Sequence, residues 1–275
     1  LRKSIFSLFI FVLLIFSTIK TFAADVWCKI EYYYNGTNYM KVTLFSKSNK
    51  TYYVKGFTRD SDNQVSIYFS DKKNLSSETN TVLIPQSMFL MPVRVILVNS
   101  DGSLLFSDIK DSRYKDYILY LASIGKIDGY KDGTFKPKKS VTRQEFAKLI
   151  VNVFDIKTNQ SVTKYSFADI ENCWAKNEIE TLAKMGILTG VKGKNGVLYF
   201  KPEDGITYEQ AIAIIARCLK LKAVSKKDYK SWANNYINAF VDNNLLSEKE
   251  INVLKLNSFA TREWIAYILG KAVLR

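Results

Sequence analysis

Two hydrophobic rhythms divide the chain. From Val26 to Val98 apolar and polar positions alternate in short runs, Val26 to Tyr32, Tyr39 to Phe45, Thr51 to Phe57, Gln64 to Phe69, Thr81 to Ile84 and Val93 to Val98. A period of two sends successive side chains to opposite faces, so these runs predict β-strands with one half-buried face. Polar clusters such as Asn35-Gly36-Thr37-Asn38 and Arg59-Asp60-Ser61-Asp62-Asn63 separate them as turns. Short strands at this spacing predict a small all-β, sandwich-like domain over residues 25–105. After Phe106 the apolar spacing changes to three and four. Tyr114, Tyr117, Ile118, Leu121 and Ile124 form one stripe, and Phe146, Leu149, Ile150 and Val153 another. Each stripe predicts a helix that buries one side.

The helical part repeats itself. A first unit over 106–157 reads Phe106-Ser107-Asp108, then Tyr114, Ile118, Leu121, Gly125 and Gly129, and reaches Phe135-Lys136-Pro137 and Val141-Thr142. A second over 165–222 reads Phe167-Ala168-Asp169, then Trp174-Ala175, Ile179, Leu182, Gly186 and Gly190, and reaches Phe200-Lys201-Pro202 and Ile206-Thr207. A third, degenerate unit over 229–275 keeps Trp232-Ala233, Ile237 and Phe240, has Asn244-Leu245-Leu246 in place of the glycine turn, lacks the Phe-Lys-Pro and recovers at Ala260-Thr261-Arg262-Glu263. One helix pair of this size cannot bury enough apolar surface alone, whereas three pairs about a shared axis can. Trp174 and Trp232 are most simply core anchors whose rims reach ligand.

Local chemistry follows from the repeat. Thr142-Arg143-Gln144-Glu145 fits the Thr-x-x-Glu capping box, and Thr207-Tyr208-Glu209-Gln210 fits it too. The cap does not account for Arg143, because a cation in the first turn opposes the helix dipole. Arg262 repeats the placement. Free first-turn amides beside a guanidinium fork make a seat for a carboxylate or phosphate; the plainer alternative pairs each arginine with a protein carboxylate such as Asp108 or Asp169. The Gly129–Phe135 stretch is a turn with too few carboxylates for calcium, and Gly190, Gly193 and Gly196 have neither the preceding strand nor the Gly-Lys-Ser/Thr of a phosphate loop.

Composition narrows the classes. Arg2 and Lys3, an apolar run from Ile5 to Ile19 and Ala23-Ala24 predict an export leader over 1–24, the only expected membrane encounter. The chain carries 40 Lys and Arg against 26 Asp and Glu, net +14; the leader holds three of these cations, so the exported remainder keeps +11. That charge favours an anionic polymer or surface, and export makes nucleic acid a poor partner. With no histidine, histidine-based triads and histidine metal sites are excluded, and no metal or cofactor is expected. Three cysteines are not a disulfide framework; Cys28 alternates with apolar residues and reads as buried, while a Cys173–Cys218 pair stays open. A carboxylate pair can hydrolyse glycosides without histidine, but the β-domain is small for a cleft and its acids sit in turns. The expectation is a binding protein, with protein–protein adhesion as the alternative and a polysaccharide-active enzyme behind it.

The units resemble S-layer homology (SLH) repeats. The resemblance rests on Phe106-x-Asp108, Gly129-Tyr130-x-Asp132-Gly133-Thr134-Phe135-x-Pro137 and Val141-Thr142-Arg143-Gln144-Glu145, with Tyr114 standing for the family's tryptophan, and it covers 106–275. It implies an all-α, pseudo-threefold helical bundle with grooves between units. It also implies non-covalent binding of a secondary cell-wall polysaccharide in a Gram-positive-type envelope, often through a pyruvylated sugar, with S-layer or surface proteins as further partners and a secreted, wall-associated location. The family's anion-contacting arginine maps onto Arg143 and Arg262, its aspartate onto Asp108 and Asp169, its turn glycine onto Gly129 and Gly190, and its tryptophan onto Trp174 and Trp232. Tyr208 replaces the arginine in the second unit, and Trp264 takes the glutamate's place in the third.

Overall fold

In a computed structural model the described residues are the strands between 26 and 99, then 104–159 and 164–274. The leader of residues 1–24 and the Cys28 side chain lie outside them. The alternating segment forms seven strands: β1 (Val26–Tyr34), β2 (Asn38–Ser46), β3 (Thr51–Arg59), β4 (Val65–Phe69), β5 (Lys73–Asn74), β6 (Thr81–Pro85) and β7 (Arg94–Asn99). They make two antiparallel sheets, one ordered β1-β2-β6, the other with β3 between β7 and the β4–β5 pair. In the first sheet the register pairs Cys28 with Leu44 and Ile30 with Val42, which pairs with Val82 in turn. The sheet-on-sheet contact of a sandwich lies outside the described residues.

The helical segment contains α1 (Lys115–Ser123), α2 (Arg143–Val153), α3 (Lys176–Lys184), α4 (Tyr208–Cys218), α5 (Asn234–Asp242), α6 (Glu248–Asn252) and α7 (Arg262–Val273). It is not purely helical. The second unit's turn is four residues longer than the first's, and the extra chain closes as a two-stranded hairpin, β8 (Val191–Lys192) with β9 (Leu198–Tyr199). No described helix is long and apolar enough to cross a membrane.

Leading helices α1, α3 and α5 share one design. Ile118, Ile179 and Ile237 occupy the fourth helical position and Leu121, Leu182 and Phe240 the seventh, and all six are fully buried. Full burial of such a side chain contributes about 1.5–3 kcal/mol. Each leading helix ends on a left-handed residue, Gly125 (φ 67), Gly186 (φ 71) and Asn244 (φ 56). Asparagine is the side chain that best tolerates this conformation after glycine. The third unit therefore keeps the turn its sequence had apparently discarded, with Leu245 N donating to Phe240 O as Lys126 N does to Leu121 O. Beyond it, α6 replaces the glycine loop, started by a Ser247–Glu250 capping box.

The pairs close into a ring: α2 packs on α3, α4 on α5, and α7 returns to α1. At the centre three extended residues hydrogen-bond in a circle. Ile206 N donates to Val141 O (2.9 Å), Ala260 N to Ile206 O (2.8 Å) and Val141 N to Ala260 O (3.1 Å). The third unit is thus an equal member of a pseudo-threefold arrangement.

Candidate functional site at the seams between helix pairs

Each trailing helix starts where its unit meets the next, and its cap is as the spacing predicts. Thr142 and Glu145 form a complete capping box on α2, and Thr207 and Gln210 another on α4. On α7 Trp264 replaces the glutamate and Thr261 makes no side-chain cap. The expected free amides are not there. Arg143 N and Gln144 N donate to Asp204 O and Pro202 O of the second unit; Tyr208 N and Glu209 N to Ser258 O and Leu256 O of the third; Arg262 N and Glu263 N to Lys139 O and Pro137 O of the first. Orphan amides of a helix start must find acceptors when covered, and here the neighbouring unit supplies them. The N-termini join the ring rather than wait for an anion.

The two Phe-Lys-Pro loops, which supply four of those six carbonyls, are pinned by the two aspartates. Asp108 accepts Phe135 N and Lys136 N, both at 2.8 Å, and Asp169 accepts Phe200 N and Lys201 N, both at 2.7 Å. Lys136 (φ 55) and Lys201 (φ 58) are left-handed, a conformation disfavoured for side-chain-bearing residues, and the carboxylates hold them in it. Gly129 and Gly190 have a packing role. A Cβ on Gly129 would lie 2.3 Å from Phe106 Cε1, and one on Gly190 2.4 Å from Phe167 Cε1.

Among the described residues neither seam arginine pairs with a carboxylate. Arg143 is 8% exposed; its Nε donates to Phe200 O (2.7 Å), its Nη1 to Gln210 Oε1 (3.0 Å), and its guanidinium lies 4.7 Å from the centre of the Phe200 ring. Burial lowers its pKa, with the Asp204 and Asp169 carboxylates working the other way. Arg262 repeats the contact one unit round: Nε donates to Phe135 O (2.9 Å), Nη2 to Asp128 O (3.0 Å), and the ring of Phe135 lies 4.6 Å away. Carbonyl acceptors and a ring face explain how a cation is tolerated in a first turn. Nη2 of Arg143 and Nη1 of Arg262 take no protein acceptor among the described residues. At the remaining seam Tyr208 stands for the arginine and meets the Trp264 ring edge-on at 4.7 Å. The two departures from the repeat are therefore one exchange, a polar pair such as Arg143–Gln210 replaced by an aromatic pair.

Trp174 and Trp232 are not core anchors: they are 59% and 58% exposed, each one residue before the N-cap of its leading helix. The same frame moves Tyr114. It caps α1 as Ala175 caps α3 and Ala233 caps α5, so the tryptophan's place in the first unit belongs to the exposed Arg113. One further set of contacts was hidden from the sequence because its members differ chemically. Ser112 donates to Glu263 (2.6 Å), Cys173 to Gln144 (3.0 Å) and Ser231 to Glu209 (2.6 Å), one side-chain clasp per seam. Cys173 and Cys218 are free thiols, and burial pushes Cys218 up to about 12.

Residues 105–147 and 166–212 match the family model of the S-layer homology domain. Over these two stretches the chain is similar to S-layer homology repeats. Proteins similar to it include Exoglucanase XynX of Acetivibrio thermocellus, 33% identical over 61% of this chain and 16% of that protein. A cellulosome-anchoring protein of the same organism is 35% identical over 44% of this chain and 27% of its own length, and the surface-layer 125 kDa protein of Lysinibacillus sphaericus is 27% identical over 45% and 10%. The chain thus spans well under a third of each of these relatives. The two matched SLH repeats contain Asp108, Gly129, Arg143, Asp169, Trp174 and Gly190; Trp232 and Arg262 come from the third helix pair, which joins them through the central ring.

Proposed function

We propose that this chain is a cell-surface protein tethered without a covalent bond to the wall of a Gram-positive-type envelope, its helical ring binding an anionic secondary cell-wall polysaccharide and its β-strands displayed beyond it. In this reading all three helix pairs are SLH repeats and the polymer's anion is a carboxylate, as on a pyruvylated sugar. The observation that carries the proposal is the seam arginine. Two of the three seams present a guanidinium that is oriented by a backbone carbonyl and an aromatic ring, keeps one nitrogen without a protein acceptor, and has no carboxylate partner among the described residues. The net charge of +14 would draw such a polymer in. The printed names of two relatives, a cellulosome-anchoring protein and a surface-layer protein, agree with a tether. The names of enzymes among the relatives give no comparable support for catalysis, since the likeness to them lies in the repeat region. The full chain is expected to sediment with polymer-bearing cell walls, to stay in solution with walls stripped of that polymer, and to bind weakly once the pyruvyl groups are removed. Equal sedimentation with intact and stripped walls would refute the polysaccharide as partner.

A further inference from the structure

The three leading helices match at their inward positions and differ on another face. Their fifth, sixth and ninth residues are Leu119, Tyr120 and Ser123 in α1, Glu180, Thr181 and Lys184 in α3, and Asn238, Ala239 and Asp242 in α5. In the second and third units the fifth residue is polar and fastens the chain that enters the unit. Glu180 accepts Ser166 N (2.7 Å) and Ser166 Oγ (3.0 Å). Asn238 accepts Lys227 N (3.0 Å) and donates to Lys227 O (2.8 Å). The first unit has Leu105 and Leu119 at the places of Ser166 and Glu180, so two apolar residues stand where the second unit has a polar clasp.

The far ends of the helices differ in the same sense. Lys184 and Gly186 are exposed after α3 turns, as are Asp242 and Asn244 at α5, whereas Ser123 and Gly125 at the matching places of α1 are buried. Leu119 and Tyr120 are buried too, and the Ser123 hydroxyl is turned back onto Leu119 O (2.6 Å). A helix buried on every side needs cover on every side. One cover of α1 is α7, and the others are strands: β7 and β1 both pack on it. These two strands belong to different sheets, so a single helix meets both.

We infer that α1 serves twice, as a helix of the ring and as the docking surface of the β-strands, with β7 and β1 of the same chain as its occupants. The strand segment is then fixed to the ring at one attitude instead of swinging on a tether, and the two unfold together. The ring has no clean edge at Phe106, because the face that meets the strands lies inside its first helix pair. The same chain is favoured over a second copy because only residues 100–114 separate β7 from α1. The inference holds whatever the ring binds. The test is hydrogen exchange on the full chain, read by mass spectrometry, with thermal unfolding and mass in solution measured beside it. Ser123→Lys gives α1 the residue that α3 carries at that place, and Tyr120→Thr does the same at the sixth position with a milder change. Each is expected to speed exchange in β1 and β7 by at least about tenfold while α4 and α5 exchange as before, and to split one melting transition into two. Ser123→Ala, which keeps the surface free of charge, should leave both readings at the parent's values. Where Ser123→Lys loosens α4 and α5 as well, Tyr120→Thr decides by the same readings. Unchanged exchange in β1 and β7, or a parent chain that already melts in two steps, overturns the inference. A parent whose β7 protection falls on dilution as a dimer dissociates would also overturn it, and would put a second copy's strands on α1.

Discussion

Replacing Asp108 by asparagine separates a folding role from a ligand role at a residue that family resemblance alone would give to the sugar. The carboxylate accepts Phe135 N through one oxygen and Lys136 N through the other, both at 2.8 Å. Hydrogen bonds to a charged group contribute about 1.5–3 kcal/mol each. Asparagine keeps one acceptor and turns an amide donor toward the second N–H, so one bond is lost outright and the charge assistance of the other goes with it. Left-handed Lys136 (φ 55) then loses the contact that fixes it, and the loop that receives the amides of Arg262 and Glu263 loosens. The sum is about 2–4 kcal/mol, which for a cooperative unit of this size lowers Tm by roughly 5–15 °C. Thermal unfolding followed by far-UV circular dichroism measures it, with Asp132→Asn as control, an exposed aspartate that bonds Thr134 and makes only a long surface ion pair to Lys136. A Tm within about 2 °C of the parent, the shift expected from about 1 kcal/mol or less, together with lost wall binding would refute the reasoning and make Asp108 a ligand contact.

Two other predictions test neighbouring parts. Tyr208→Arg alone removes the edge-on packing on Trp264 and gives the guanidinium no side-chain acceptor like the one Gln210 offers Arg143; it is expected to cost about 1–3 kcal/mol. Joined with Trp264→Gln, which restores the pairing of Arg143 with Gln210, it should cost at least about 0.5 kcal/mol less than the two single changes summed; additive costs in denaturant unfolding would show that the aromatic pair is not one exchange. Glu250 is held below the ordinary carboxylate value of 4.5: burial works against this, but hydrogen bonds from Tyr267 and Ser247, with Lys271 nearby, outweigh it. A depressed carboxylate gives its stability above the unfolded value and loses it as pH falls through the folded one. Glu250→Gln should therefore narrow the stability gap between pH 7 and pH 3, and an unchanged gap would assign the acid sensitivity elsewhere.

The leading and trailing helices were legible because each carries an apolar stripe, and the capping boxes on α2 and α4 because their residues lie three apart. The seams were legible only in part. Arg143 stood out as a cation in an unfavourable place, but its acceptor, the carbonyl of Phe200, is a backbone atom of another unit and leaves no mark in sequence. The same holds for the carbonyls that occupy the first-turn amides. The tryptophans misled because a large aromatic near a helix start is usually buried, and only the helix frame shows that Ala175 and Ala233 take the inward position. Repetition held the signal for how the seams differ: four residues past the loop phenylalanine the first unit has Lys139 and the second Asp204. Comparing units for what differs, rather than for what recurs, finds it. The hairpin β8–β9 and helix α6 were missed because both fall where the repeat changes length or loses its motif.

The circle of hydrogen bonds through Val141, Ile206 and Ala260 has a consequence for how the molecule comes into being. In an open stack each unit can settle on the one before it, and growth proceeds from one end. Here Val141, from the first unit, waits for an acceptor on Ala260, close to the end of the third. No pair has both neighbours until all three exist, so the ring closes late and as a whole. A chain threaded unfolded through a membrane would hold its first two units open until the stretch around Ala260 had crossed. Transport would then never have to work against a finished fold, and assembly would occur only on the far side.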